Sequence, residues 1–123
     1  MPQLSNAEFT LLAALLVGLA WFILLRNRNR TPPLTQQQVA ELRQRGALLL
    51  DVRSPGEFSQ GHPKGARNIP LPELPQRLGD LDPKKPVLTC CASGVRSASA
   101  RRLLLKAGFQ EVHDVGPWTV LKP

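Results

Sequence analysis

Hydrophobic and polar positions follow two different patterns along this chain, with the change near residue 33. Residues 9–25 are one uncharged run, Phe-Thr-Leu-Leu-Ala-Ala-Leu-Leu-Val-Gly-Leu-Ala-Trp-Phe-Ile-Leu-Leu. As an α-helix these 17 residues reach roughly 26 Å at about 1.5 Å each, the lower end of what spans a bilayer core. No polar face interrupts the run, so it does not read as the amphipathic helix of a soluble core. Trp21 and Phe22 stand near the end that meets Arg26, where aromatic anchors sit. The pattern predicts a short N-terminal tail (1–8), a transmembrane helix (9–25), a basic and proline-containing linker (26–33) and a folded domain (34–123).

Within the domain, Thr35 with Gln38 makes a capping-box start and Gly46 a stop, which predicts a helix over 36–45. Residues 47–52 are continuously apolar up to Asp51, the pattern of a buried and parallel strand. Residues 53–65 are punctuated by Pro55, Gly56, Gly61, Pro63 and Gly65, so a loop with one helical turn is expected. A brief strand follows at 66–69. Residues 70–81 alternate prolines and leucines and hold only a short helix. A strand is predicted at 87–90 and a helix at 97–107, with Ser97 as its N-cap and Gly108 as its stop. A last strand covers 111–115. Strands alternating with helices predict an α/β domain with a mainly parallel sheet, preceded by one transmembrane helix.

Charge changes this picture little. The formal net charge is +7; Arg26, Arg28 and Arg30 against Glu8 account for +2 of it, and the other +5 is dispersed. There is no basic helix interleaved with aromatics and no Tyr, so nucleic acid is not an expected partner. The three arginines directly after the apolar run instead place the C-terminal side in the cytoplasm and the N-terminus outside an inner or plasma membrane. A cleaved signal peptide would want Lys or Arg before the run, and residues 2–8 have none. Gly18 has no partner at GxxxG spacing, so nothing specifies dimerisation of this helix. Two adjacent cysteines make no disulfide framework and suit a reducing compartment. His62 and His113 lie far apart without metal-ligand spacing, and neither a metal nor a cofactor is expected.

The candidate chemistry sits at Cys91-Ala92-Ser93-Gly94-Val95-Arg96-Ser97, between the strand and the helix. Such a loop gathers backbone N–H groups around one point at a helix N-terminus and favours negative charge. A cysteine at its first position is held as thiolate by the amides, the helix dipole and Arg96. Gly94 lets the backbone turn where a Cβ would crowd it. A lone cysteine after a strand is more often core; the loop composition and the Arg at a fixed offset reverse that reading.

The residues around the loop resemble a known family. Asp51-Val52-Arg53 with Glu57-Phe58, Gly61-His62, Gly65-Ala66 and Asn68-Ile69-Pro70 is similar to the D-V-R-x-x-x-E-F-x-x-G-H-x-x-G-A-x-N-I-P signature of rhodanese domains. Cys91 to Ser97 resembles their C-x-x-G-x-R-S loop, and Gly108-Phe109 also fits. The likeness covers about residues 34–118. It implies a small α/β fold and sulfur transfer without a cofactor. Cys91 would attack the outer sulfur of thiosulfate or a persulfide and keep it as a Cys91 persulfide. A thiol or cyanide would then accept the sulfur, in ping-pong order. Ala92, Ser93, Gly94, Val95, Arg96 and Ser97 would bind the small anionic donor. Asp51, Arg53, Glu57 and His62 are expected to form a structural polar network rather than to act in catalysis. Arg67 is a candidate auxiliary cation near the mouth. Cys90 stands where the family often has an aromatic or apolar residue; it is a core residue by default, with a resolving role as the alternative.

Two other readings compete with a membrane-anchored sulfurtransferase. Cys90 to Arg96 also has the C-x5-R spacing of cysteine phosphatases and arsenate reductases, which would make Cys90 the nucleophile. The domain could instead carry a persulfide, or dock, at the membrane without turnover. A protein sulfur acceptor is not specified by any of these patterns.

Overall fold

A computed structural model describes residues 3–28 and 33–121. It divides into two compact units, residues 1–32 and 33–123. In the first, helix α1 runs over Asn6–Arg28. Its start is set by a reciprocal cap: the Ser5 N–H donates to Glu8 Oε2 at 2.8 Å, and the Glu8 N–H donates to Ser5 Oγ at 3.3 Å. The expected tail (1–8) therefore gives three residues to the helix, and the expected linker (26–33) gives three more. Helix formation does not stop where apolarity stops, because capping and backbone hydrogen bonding end a helix. Residues 29–32 of the linker, with Arg30, lie outside the described residues, as do residues 1–2 and 122–123. Leu11, Leu15, Val17, Leu19 and Phe22 are all exposed on α1, and residues 6–26 are long and apolar enough to cross a membrane.

The second unit is an α/β domain. Its elements in order are helix α2 (Gln36–Gln44), strand β1 (Leu48–Asp51), helix α3 (Pro55–Ser59), strand β2 (Arg67–Asn68), two 3-10 turns (Leu71–Gln76 and Leu78–Asp80), strand β3 (Val87–Cys91), helix α4 (Val95–Lys106), strand β4 (Val112–Pro117) and a final 3-10 turn (Trp118–Leu121). The sheet order is β2-β1-β3-β4, and each neighbouring pair is parallel. The capping box of Thr35 and Gln38 opens α2, and a second one, Ser54 with Glu57, opens α3 with Pro55 in its first turn. The segment at 70–81 forms 3-10 turns rather than a short α-helix: Pro72 and Pro75 supply no N–H to an i→i−4 ladder.

Alternation along the strands sorts the core into two layers. Leu50, Val52, Val87 and Cys91 face α4 and the 3-10 turns, packing with Leu74, Ala100 and Leu104. Leu49, Leu88, Cys90 and Val115 face the other way, with Val39 and Leu42 of α2 and Leu121 of the last turn. Adjacent cysteines are thus sent to opposite sides of the sheet. The carboxyl ends of β1 and β3 lie side by side, Asp51 paired with Cys90, which brings the two halves of the sequence signature together.

Candidate active site

Cys91 closes β3 as its last residue, one position later than the strand expected at 87–90. The chain then turns through Ala92 and Ser93 to Gly94, which caps α4 at φ +103°. Only glycine adopts that backbone readily, and a Cβ there would stand 3.4 Å from the Gly116 Cα. The helix accordingly begins at Val95, and Ser97 is its third residue rather than its N-cap. A residue with a side chain would cap less well here, because the left-handed turn is needed to aim the first amides back at the sulfur.

The Gly94 N–H donates to Cys91 Sγ at 2.9 Å. As a thiol, Cys91 donates to Ser97 Oγ at 3.4 Å, while that hydroxyl donates to the Gly94 carbonyl at 3.1 Å. A hydroxyl proton rotates freely between such partners and turns to the sulfur once the thiol ionises. Ser97 is itself held in place by Thr89, whose buried hydroxyl donates to the Ser97 carbonyl at 3.0 Å. Burial resists ionisation of Cys91, but the Ser97 hydroxyl and the N–H groups of Ser97, Gly94 and Ser93 outweigh it and lower the thiol below its ordinary range. Cys91 has no solvent-exposed surface, whereas Val95 at the rim is 73% exposed.

Arg96 departs from expectation. Its guanidinium grips Glu57 of α3 with two hydrogen bonds, Nη1 to Oε1 at 2.7 Å and Nη2 to Oε2 at 3.0 Å. That bidentate contact holds the Glu57 carboxyl down to about 2 and raises Arg96 in return. Glu57 thereby leaves the network expected for it with Asp51 and Arg53, touching that network only through its carbonyl, which accepts from Arg53 Nη1 at 3.4 Å.

Asp51, Arg53, Asn68 and His62 make a polar network of their own. Buried Asp51 and Arg53 form an ion pair at 2.7 Å, and Arg53 also donates to the Gly61 carbonyl at 2.7 Å and lies over the Trp118 ring at 4.6 Å. Asn68 Nδ2 donates to the carbonyls of Asp51 and Arg53, fixing the turn after β1. His62 stacks on Phe58 at 3.8 Å and donates from Nδ1 to the Phe58 carbonyl at 2.8 Å, so it braces α3.

Two expected auxiliary groups are elsewhere. Arg67 is not near the mouth: it bridges to Asp80 at 3.6 Å and lines a cleft with Gly46, Leu48 and Lys85 at the opposite end of β1. Its backbone pairs beside Leu50, and the side chain runs back toward the amino end of β1 to reach Asp80. Cys90 faces the second core layer, where burial above all, then the Asp51 charge, pushes its thiol up to about 12. A protonated sulfur on the far side of the sheet neither resolves an adduct on Cys91 nor acts as a C-x5-R nucleophile, so the phosphatase or arsenate reductase reading does not fit. Thr89 is the contributor that sequence reasoning missed. Alternation alone puts Thr89 on the Cys91 face, and that signal was available.

Comparison with known proteins agrees with this geometry. The family model for the rhodanese-like domain matches residues 35–116. Thiosulfate sulfurtransferase GlpE of Stutzerimonas stutzeri is 34% identical over 87 residues, 71% of this chain and 77% of that one. Protein YqhL of Bacillus subtilis is 46% identical over 71 residues, 58% of this chain, so the chain spans only 56% of that relative's length. Among solved structures, a rhodanese with anions from E. coli superposes with a TM-score of 0.59 at 31% identity, covering 63% of this chain and 94% of that one. The human single-domain sulfurtransferase TSTD1 gives a TM-score of 0.58 at 26% identity, covering 69% and 88%. With both motifs folded onto one sheet edge and the family model spanning the domain, the chain belongs to the rhodanese-like domain family.

Proposed function

We propose that this rhodanese-like sulfurtransferase works from a membrane anchor, taking a sulfane sulfur from thiosulfate or a persulfide and passing it to a thiol or cyanide through a Cys91 persulfide. The observation that carries the reading is the cradle itself: a sulfur at the start of α4, with the Gly94 N–H at 2.9 Å and the Ser97 hydroxyl at 3.4 Å. The Cys91 thiolate attacks the donor's outer sulfur, the donor's S–S bond breaks, and sulfite or a thiolate leaves. The new terminal sulfur carries the negative charge, and the loop amides that held the thiolate now hold the persulfide. An acceptor then attacks that outer sulfur and regenerates the Cys91 thiolate, so the two substrates alternate. The loop from Ala92 to Ser97 supplies the amides, and Arg96 with Ser97 orients the donor.

The anchor reading is supported by the length and apolarity of α1. Arg26, Arg28 and Arg30 after it favour a single-pass orientation with the N-terminus outside and the domain in the cytoplasm.

Mass spectrometry of the full chain in detergent, treated with thiosulfate or with a small-molecule persulfide, tests the chemistry. Cys91 gains one sulfur atom; Cys91→Ser abolishes the gain, and Cys90→Ala retains it. A sulfur found on Cys90, or on neither cysteine, refutes the reading. An adduct that forms but never passes to cyanide or a thiol identifies a carrier without turnover.

A further inference from the structure

Which donor the site accepts can be narrowed further, and the argument rests on the sulfurtransferase reading above. Glu57 engages Arg96 with both carboxylate oxygens and is itself fixed, because Oε1 accepts from the Ser54 hydroxyl at 3.0 Å and the Ser54 N–H at 3.3 Å. Residues 92–95 are Ala, Ser, Gly and Val, so Arg96 is the single cation of the loop and its charge is already matched. Beside the pair opens a cleft of about 280 Å³, walled by Val52, Pro55, Pro70 and Pro72, with Glu73 and Arg96 at its edges. Glu73 lies 3.6 Å from Arg77, which also bridges Asp80 at 3.2 Å, so the residues lining this cleft carry no unpaired cation.

We propose that Glu57 sets donor specificity: by occupying Arg96 it disfavours thiosulfate and selects a persulfide on an uncharged organic body, which the proline cleft seats. Glu57 acts through Arg96 and is a positioning residue. In both reactions Cys91 Sγ bonds to the donor's outer sulfur while the donor's S–S bond breaks. With R–S–SH the products are Cys91–S–SH and R–S⁻. One negative charge is present before and after, the electron pair of the broken bond leaves on R–S⁻, and that thiolate then takes a proton from water. With thiosulfate, the thiolate and a dianion bring three negative charges together, and Cys91–S–S⁻ with sulfite carries the same three away. With the loop's one guanidinium already paired, that encounter is opposed more than the first. Rigid proline rings offer contact to an organic body and no hydrogen-bond donor to sulfonate oxygens.

The test follows single-turnover sulfur gain on Cys91 by mass spectrometry, at varied donor concentration, with the full chain in detergent micelles. The donors are thiosulfate and the persulfide of N-acetylcysteine methyl ester. Because the two differ in intrinsic reactivity, the change in their ratio on substitution is the readout. Glu57→Gln keeps the α3 cap, since Gln38 plays that role in α2, and it frees the Arg96 charge. Its half-saturating thiosulfate concentration should fall by up to about fivefold, narrowing the preference for the persulfide accordingly. Pro72→Trp fills the cleft and should slow the organic persulfide roughly fivefold more than thiosulfate. Half-saturation by thiosulfate unchanged from wild type in Glu57→Gln overturns the proposal. Equal slowing of both donors in Pro72→Trp overturns it as well. No sulfur on Cys91 from either donor overturns the sulfurtransferase reading itself, and this inference with it.

Discussion

At the scale of the residue, two neighbouring buried cysteines have their thiols shifted in opposite directions. Burial dominates at Cys90 and pushes its thiol up to about 12, whereas at Cys91 the same burial is outweighed by the Ser97 hydroxyl and three backbone N–H groups. Because the Cys91 thiol is lowered, its thiolate persists as pH falls to values where a free thiol is already protonated. Ser97→Ala removes the leading hydrogen bond to the sulfur, so the thiol rises and the thiolate fraction at neutral pH shrinks. A hydrogen bond to a charged group contributes about 1.5–3 kcal/mol, so alkylation of Cys91 by iodoacetamide at pH 7 should slow by about tenfold or more. The inflection of its rate against pH should move upward. The rate profile, read by mass spectrometry at Cys91, checks both. Wild-type Cys91 reacting no faster than glutathione at neutral pH would contradict the cradle.

At the scale of the element, the site depends on how the carboxyl end of β1 is tied to α3 and the last turn. Arg53 performs that task, paired with buried Asp51 and reaching Gly61, Glu57 and Trp118. Gly61 is required for the same packing, since a Cβ there would meet the Trp118 ring at 3.2 Å. Arg53→Met leaves a buried carboxylate without its partner, which costs about 3–5 kcal/mol; urea unfolding of the domain should show a loss of that size. Asp51→Asn with Arg53→Met should recover part of it, because no lone charge remains buried. Elements whose signals are local were legible in the sequence: the Thr35 capping box, the apolar strand at 47–52 and the proline-broken segment at 70–81 all appear close to where they were read. The start of α4 was not, because Gly94 caps it by backbone conformation and leaves no side chain to announce a cap, while Ser97 carries a capping residue's signature. The Arg96–Glu57 pair was not legible either. Thirty-nine residues separate its partners, and only the adjacency of β1 and β3 brings α3 to the loop.

At the scale of the whole molecule, a sulfurtransferase domain shares its chain with a helix that has no buried side of its own. The candidate span Asn6–Arg26, 21 residues, extends about 32 Å at 1.5 Å per residue, enough for a bilayer core of about 30 Å. Its large apolar residues are exposed around the full circumference, which water disfavours and lipid satisfies. The 17 apolar residues at 9–25 alone fell at the lower limit for spanning; the cap at Ser5 and the continuation to Arg28 lengthen the helix beyond that run. The chain should therefore stay with membranes through alkaline carbonate extraction. Leu16→Arg with Val17→Arg places two charges at the middle of the span, each costing about 2.5–3.5 kcal/mol for insertion, and should move the protein to the soluble fraction with its domain still folded. If the orientation proposed above holds, the domain should resist added protease in spheroplasts and be digested in inverted vesicles. Release of the wild-type chain by carbonate would refute the anchor, and digestion from the outer side would refute the orientation while leaving the anchor intact.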